Sequence, residues 1–397
     1  MIKELREQYN KNFTTEKYEA YLKDLNNASV PLQFRTAETP VFVPKNFLNQ
    51  MLSACESIVD VVLQPDFKEL TQKSIPHNLE VKNEDAYPGC IAFDFGVCIN
   101  DNNELEPQLI EMQAFPTLFG YEVILDDVYF KHFTAPKNFS SYLGGLDRTT
   151  YLDILRKMIL KNHDPKNVIL LEIFPEKQKT NVDFYATQHL VGIKPVCITE
   201  IIKKGNQLFY MNEGEEVLIK RIYNRIIFDE LLQQEQWVQD KASVLFEDLD
   251  VEWIPHPNWF YRISKYTLPL LNHPNIPYTR YLNQIEQIPH DLENYVLKPL
   301  FSFAGQGVVI DVTKADIEKV TDPENWILQR KVTYAPVIET PDEPAKAEIR
   351  IFYFWPEGEK RPIPTNNLAR LSKGKMIGVR YNKDKTWTGG SFCLFEK

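Results

Sequence analysis

Apolar residues recur at three- and four-residue steps over residues 47–63, at Phe47, Met51, Cys55, Ile58 and Val62. That is the period of a helix burying one face, and residues 16–25 repeat it near the start of the chain. The pattern then changes to short runs, CIAFDFGV over 90–97 and LIEMQA over 109–114, which predict neighbouring strands joined by a polar turn. Acidic residues therefore sit on or just after strand ends. A helix capped at Asp147 or Thr149 runs to residue 161 and leads through DPKN into 168–174, VILLEIF. Such an unbroken apolar run belongs in a sheet covered on both faces. After a helix near 183–190 come strands at 196–202, 207–211 and 217–223, separated by KKGN and NEGEE, so a hairpin interrupts the α/β unit. No GxGxxG follows these strands, which excludes a dinucleotide fingerprint.

From Tyr295 onward the segments shorten to YVLKPL, GVVIDV, WILQRKV, AEIRIFYFW and GKMIGVRY, linked by the Pro-rich PDEP and PEGEKRPIP. They predict an antiparallel α+β lobe, with boundaries near 230–251 and a flexible insertion near 340–346. The 397 residues exceed what one hydrophobic core usually serves, so two or three lobes are expected, and no solenoid repeat is present. Composition is that of a soluble globular protein, 43% hydrophobic and 25% charged.

Charge narrows the partners. Lys and Arg number 45 against 55 Asp and Glu, a net charge of −10, which opposes general adhesion to nucleic acid or to an anionic membrane. A phosphate site must then be a local concentration of cations. No run of about 18 apolar residues occurs, and the charged start MIKELREQYN lacks the apolar stretch of a signal peptide, so a cytoplasmic protein is expected. The five cysteines are odd in number and form no CxxC pair, which predicts free, mostly buried thiols. Single histidines without HExxH, and the lack of GxSxG, exclude zinc and serine hydrolases.

The segment YVLKPLFSFAGQGVVI places Lys298 at a strand end, then Gly305 and Gly307 in a short loop, then an apolar strand. Strand, glycine turn and strand can fold backbone N–H groups over a phosphate that the lysine neutralises. A plain hairpin turn has the same outline, and the GxxxxGK[ST] of a P-loop is absent. Downstream lie NWILQRKV, AEIRIF with Glu348 and Arg350 on one strand face, NNLARLSKGK and WTGGSF.

This order resembles the ATP-grasp superfamily in the circularly permuted arrangement of eukaryotic-type glutathione synthetase. The permutation puts the metal strand near the N-terminus, where LIEMQAFPTLFGYE supplies Glu111 and Gln113 beside AFDFGV with Asp94. VILLEIFPEKQKTN, the hairpin and IYNR continue the likeness, which runs from about Pro88 onward. It implies three parts: 1–150 with N-terminal helices and metal strands, 151–240 as an α/β substrate-binding domain with a parallel sheet, and 241–397 as an antiparallel nucleotide lobe.

The resemblance implies ATP and Mg²⁺ as cofactors and small carboxylate and amine substrates, with a homodimer possible as in the family. Lys298 and Lys265 match lysines facing the triphosphate; Gly305 and Gly307 form the phosphate loop. Gln329, Arg330 and Lys331 match the hinge whose backbone reads adenine. Glu111 and Gln113 would meet Mg²⁺ from one strand face, Arg370 and Lys373 match the family's basic pair, and Arg225 an arginine holding a substrate carboxylate. Gly389 and Gly390 form the terminal substrate loop. The bland alternatives are solvated lysines, surface ion pairs and strand-end carboxylates.

Three departures stand out. Phe303-Ala304-Gly305 replaces a segment whose glutamate binds metal, and Glu348 is the substitute from a neighbouring strand. Gln113 replaces an asparagine. The arginine expected near AFDFGV is missing, so the substrate differs from that of glutathione synthetase, and Asp94 is a candidate for a substrate ammonium group. The expected function is ATP-dependent carboxylate–amine ligation through an acyl phosphate, on a small amino-acid or peptide-like substrate. A nucleotide-binding relative without turnover, or a purely structural protein, is the alternative.

Overall fold

The computed structural model describes residues 1–301, 307–374, 377, 382 and 384–397. Helices form where the period predicts them, at Thr15–Asn27, Lys45–Val62, Arg148–Leu160 and Asn181–Val191. Thr14 and Asp147 cap two of these, each side chain accepting from the backbone N–H three residues on. Each cap satisfies a donor that a first helical turn leaves unpaired.

A central sheet holds five strands in the order Gly389–Ser391, Ile363–Ser372, Lys346–Phe354, Cys90–Ile99 and Leu105–Gln113. All neighbours are antiparallel, so segments far apart in the chain lie side by side. Because side chains alternate along a strand, the sheet has two distinct faces. One carries Ile91, Phe93, Phe95, Ile349 and Ile351 against Met51, Cys55 and Ile58 of the Lys45–Val62 helix.

The other face changes character along its length. Cys90, Ala92, Phe352 and Phe354 lie in a core with the Phe119–His132 helix, the Phe119 ring sitting 4.9 and 4.8 Å from those of Phe352 and Phe354. Two and four residues further on, the same face presents Arg350, Glu348 and, across the ladder, Asp94. The apolar half anchors the sheet, and the charged half becomes the floor of a site.

Val168–Glu172 is buried throughout, as its apolar run predicts. It lies inside a parallel sheet ordered Glu252–Ile254, Arg221–Asn224, Val168–Glu172, Lys194–Cys197. The single strand expected at 217–223 is two. Glu215–Ile219 closes an antiparallel meander with Gln207–Asn212 and Ile202–Lys204, and Arg221–Asn224 joins the parallel sheet. Exposed Lys220 makes the switch, its N–H donating to Asn167 O and its carbonyl accepting from Glu252 N. The stretch expected as a boundary at 230–251 is partly helical, at Gln236–Ala242, and buries Val238, Ala242 and Leu245 beside the parallel sheet.

A third sheet, Thr279–Tyr281, Trp326–Arg330 and Tyr295–Pro299, is antiparallel with its own small core of Leu282, Leu297, Val312 and Leu328. The strand expected at 307–312 is reduced to one bridge, Val309 to Leu297, with Val312 buried in that core. The strand expected at 374–381 falls mostly outside the described residues. All five cysteines are buried and free. Among the described residues no helix is long and apolar enough to cross a membrane.

Candidate functional site

The floor of the site is a lattice of charge set by strand register. Asp94 lies opposite Arg350 on one side and Glu111 on the other, and Glu348 lies opposite Arg370. Arg350 grips Asp94 with two nitrogens, Nε to Oδ1 and Nη2 to Oδ2, the second at 2.6 Å. Arg370 Nη2 reaches the same Oδ2 at 2.6 Å and also pairs with Glu348 Oε1. Tyr334 OH donates to Glu348 Oε2 at 2.9 Å, and Arg350 Nη1 donates to Thr117 Oγ1 at 3.2 Å.

Asp94, Glu348 and Arg350 are 1%, 5% and 8% exposed. Charges that deep persist only when paired and hydrogen-bonded. Burial works against ionised Asp94, but Arg350 and Arg370 outweigh it and hold the carboxyl below its ordinary range. Burial pushes Glu348 upward, with Arg370 opposing. For Arg370 burial is outweighed by Glu348 and Asp94, which hold its pKa above the usual arginine value.

Above this floor, against the third sheet, opens a cleft of about 440 Å³. Lys265, Lys298, Arg330, Lys331, Lys346 and Arg370 line it, against the carboxylates Glu111, Asp311 and Glu348. In a chain of net charge −10 that is a strong local reversal. Lys298 Nζ donates to Gln329 Oε1 at 2.6 Å and to Ile110 O at 3.4 Å. Burial pushes its pKa down to about 8, opposed by Glu111. Lys265 opens a 3-10 turn, Lys265–Leu270, and burial lowers its pKa too, again opposed by Glu111.

A second cavity of about 350 Å³ adjoins the cleft, and Arg370 and Ile377 line both. Arg35, Lys179, Arg350 and Arg370 supply its charge, and its described lining contains no carboxylate. Gly389 and Gly390 form one wall. Gly389 has φ +120°, and a Cβ there would lie 2.3 Å from the Arg35 carbonyl oxygen, which accepts from Gly390 N at 2.9 Å. Only glycine fits so close an approach.

Of the residues singled out by sequence, Glu111, Lys265, Lys298, Gln329, Arg330, Lys331, Glu348 and Arg370 meet in the cleft, and Gly389 and Gly390 line the second cavity. Gln113 ends its strand outside the lining of either. Gly305 and Ala304 lie outside the described residues, and Gly307 adopts φ +73°.

Four expectations need correction. Asp94 is 1% exposed, accepts from arginine on both oxygens and lies outside the lining of both cavities, so it serves the floor and not a substrate ammonium. Arg225 is 6% exposed, donates to Thr117 O at 3.1 Å, and lies over Phe115 and Phe184 at 5.4 and 5.1 Å; it props the Thr117 turn from behind. Lys373 pairs with Asp342 outside the lining of both cavities. The backbone N–H groups of Arg330 and Lys331 donate to Tyr278 O and Asn294 O, each at 2.8 Å, so neither is open to a base.

The metal set also fails a test of fit. Mg²⁺ takes oxygen ligands; here each Glu348 oxygen already has one partner, Arg370 or Tyr334, and Arg350 Nη2 lies 3.6 Å from Glu111 Oε1. Among the described residues no group of three His, Cys, Asp or Glu is placed to hold a metal ion. Gln113 lies outside the cleft lining, so Glu111, Gln113 and Glu348 do not converge as the expected three-ligand set.

Sequence reasoning placed Arg350 on one face with Glu348 but gave it no role; the two-residue spacing in AEIRIF was the available signal. Tyr334 and Arg35 carry no local motif, and Lys179 lies within VILLEIFPEKQKTN without a role of its own.

No family profile and no curated protein sequence matches the chain. Among solved structures, a glutathione synthetase-like effector from Globodera pallida, in its apo form, aligns with TM-score 0.58 and 10% identity over 96% of both chains. The fold is thus glutathione synthetase-like, a mixed α/β arrangement of parallel and antiparallel sheets.

Proposed function

We propose that this chain is an ATP-dependent carboxylate–amine ligase on a circularly permuted ATP-grasp fold, acting on a small amino-acid or peptide-like substrate. The observation that carries the reading is the junction of two basic cavities at Arg370. A phosphoryl donor in one and a carboxylate acceptor in the other would meet at a fixed guanidinium. The interleaving of residues 90–113 with 346–391 in one sheet supports the permutation.

In this reading Lys265 and Lys298 neutralise the triphosphate, and Val296, Ile310 and Val332 offer the base an apolar slot. Arg35 and Lys179 draw the acceptor carboxylate into the second cavity. The carboxylate oxygen attacks the γ-phosphorus, the bond to the bridging β,γ-oxygen breaks, and ADP leaves. The amine then adds to the acyl phosphate carbon, phosphate departs with the C–O bond, and the amine proton passes to solvent. Arg370 stabilises the acyl phosphate and the tetrahedral oxyanion. The Gly389–Gly390 wall of the second cavity helps exclude water, which would otherwise hydrolyse the intermediate.

Nucleotide binding without turnover is a second reading, favoured by the engagement of both Glu348 oxygens. Incubation with Mg·ATP and a deproteinised cell extract separates the two. A new mass equal to two metabolites joined with loss of water, formed with ADP and absent with Lys298→Ala, supports the ligase. A rise in melting temperature with ATP but no ADP supports the binder.

A further inference from the structure

Asp94 and Glu111 face each other across adjacent antiparallel strands. Like charges so placed repel and need a cation near both. Arg350 provides it, with Nε and Nη2 on Asp94 and Nη2 3.6 Å from Glu111. Its guanidinium keeps its charge at any working pH and presents a rigid fork, and Thr117 fixes the remaining nitrogen. Glu111 further feels Lys265 and Lys298 from across the cleft. A divalent ion lodging between Asp94 and Glu111 would meet Arg350, with Lys265 and Lys298 nearby, and would have to displace the two-point guanidinium contact on Asp94.

We propose that Arg350 is a built-in cation standing between Asp94 and Glu111 where a divalent ion would otherwise bind. The cleft then takes a phosphate-bearing anion directly on Lys298, Lys265 and the Arg350-neutralised floor, with no metal held by the protein. The proposal rests on the nucleotide reading above only for the identity of that anion. It makes Arg350 a specificity-determining residue: by occupying the space between the carboxylates, it takes a protein-held metal out of ligand binding, so the cleft accepts the anion with or without its own Mg²⁺.

The test uses the full chain and Mn²⁺ as probe, followed by electron paramagnetic resonance without nucleotide. Wild type should take up no stoichiometric Mn²⁺, as should Arg350→Lys, while Arg350→Met should gain one site that Glu111→Gln removes. Stoichiometric Mn²⁺ on wild type, lost in Glu111→Gln, overturns the proposal even if Arg350→Met does not fold. A folded Arg350→Met that still takes no Mn²⁺ overturns it as well. In a second arm, the Kd of ADP measured by calorimetry should agree within about twofold between EDTA and Mg²⁺, and tightening by about tenfold or more with Mg²⁺ counts against the proposal. If ADP binds in neither condition the nucleotide reading fails, and the Mn²⁺ arm alone decides the role of Arg350.

Discussion

Asp94 and Arg350 are register partners on adjacent strands and bind through two nitrogens and two oxygens inside the sheet. Removing one partner strands a buried charge, so Asp94→Asn or Arg350→Met should each cost about 3–5 kcal/mol in urea unfolding. The double variant Asp94→Asn with Arg350→Met should lose clearly less than the sum of the two. Additive losses would show that the pair is not coupled.

Lys298 gives the cleft a pH dependence. Its folded pKa is depressed to about 8 from 10.5, so the unfolded chain binds more protons between those values. This group therefore adds stability as pH rises through that window. Anion affinity runs the other way, because a bound phosphate favours the charged lysine. The Kd of tripolyphosphate should weaken above pH 8, with proton uptake on binding, and Lys298→Met should flatten the profile. A profile unchanged by that substitution would remove Lys298 from the binding site.

Gly389→Ala tests the wall of the second cavity. The added Cβ meets backbone, not a movable side chain, and positive φ strains any L residue. Stability should fall by at least about 1 kcal/mol, with weaker protection of the Gly390 amide in hydrogen exchange. An unperturbed Gly390 amide would argue against the close approach.

Glu122 is 1% exposed and, among the described residues, neither carboxyl oxygen has a hydrogen-bond partner. Burial pushes its pKa well up from 4.5, and Asp183 and Asp126 add to the shift. The unfolded chain ionises first, so this group withdraws stability as pH rises above 4.5. Glu122→Gln should raise stability near neutral pH by about 1–2 kcal/mol, a gain that shrinks near pH ~4. A destabilised variant at neutral pH would mean that the carboxyl has a partner essential to the fold.

Much of the fold was legible because its signals are local. The 47–63 period, the Asp147 cap and the VILLEIF run each specify their own element. The split at Lys220 was not legible, since which sheet each half joins depends on Asn167 and Glu252, far away in the chain. The cleft lysines and Arg370 could be named from motif order. The pairing of Asp94, Glu348 and Arg350 could not, because register between distant strands decides whether a carboxylate waits for a metal or already holds an arginine.

Acyl-phosphate formation can be trapped with hydroxylamine in place of the amine, using ATP and a pool of carboxylate metabolites. The account predicts a hydroxamate formed in step with ADP by wild type and lost in folded Lys298→Ala and Arg370→Ala. ATP binding by wild type with neither ADP nor hydroxamate would contradict the ligase.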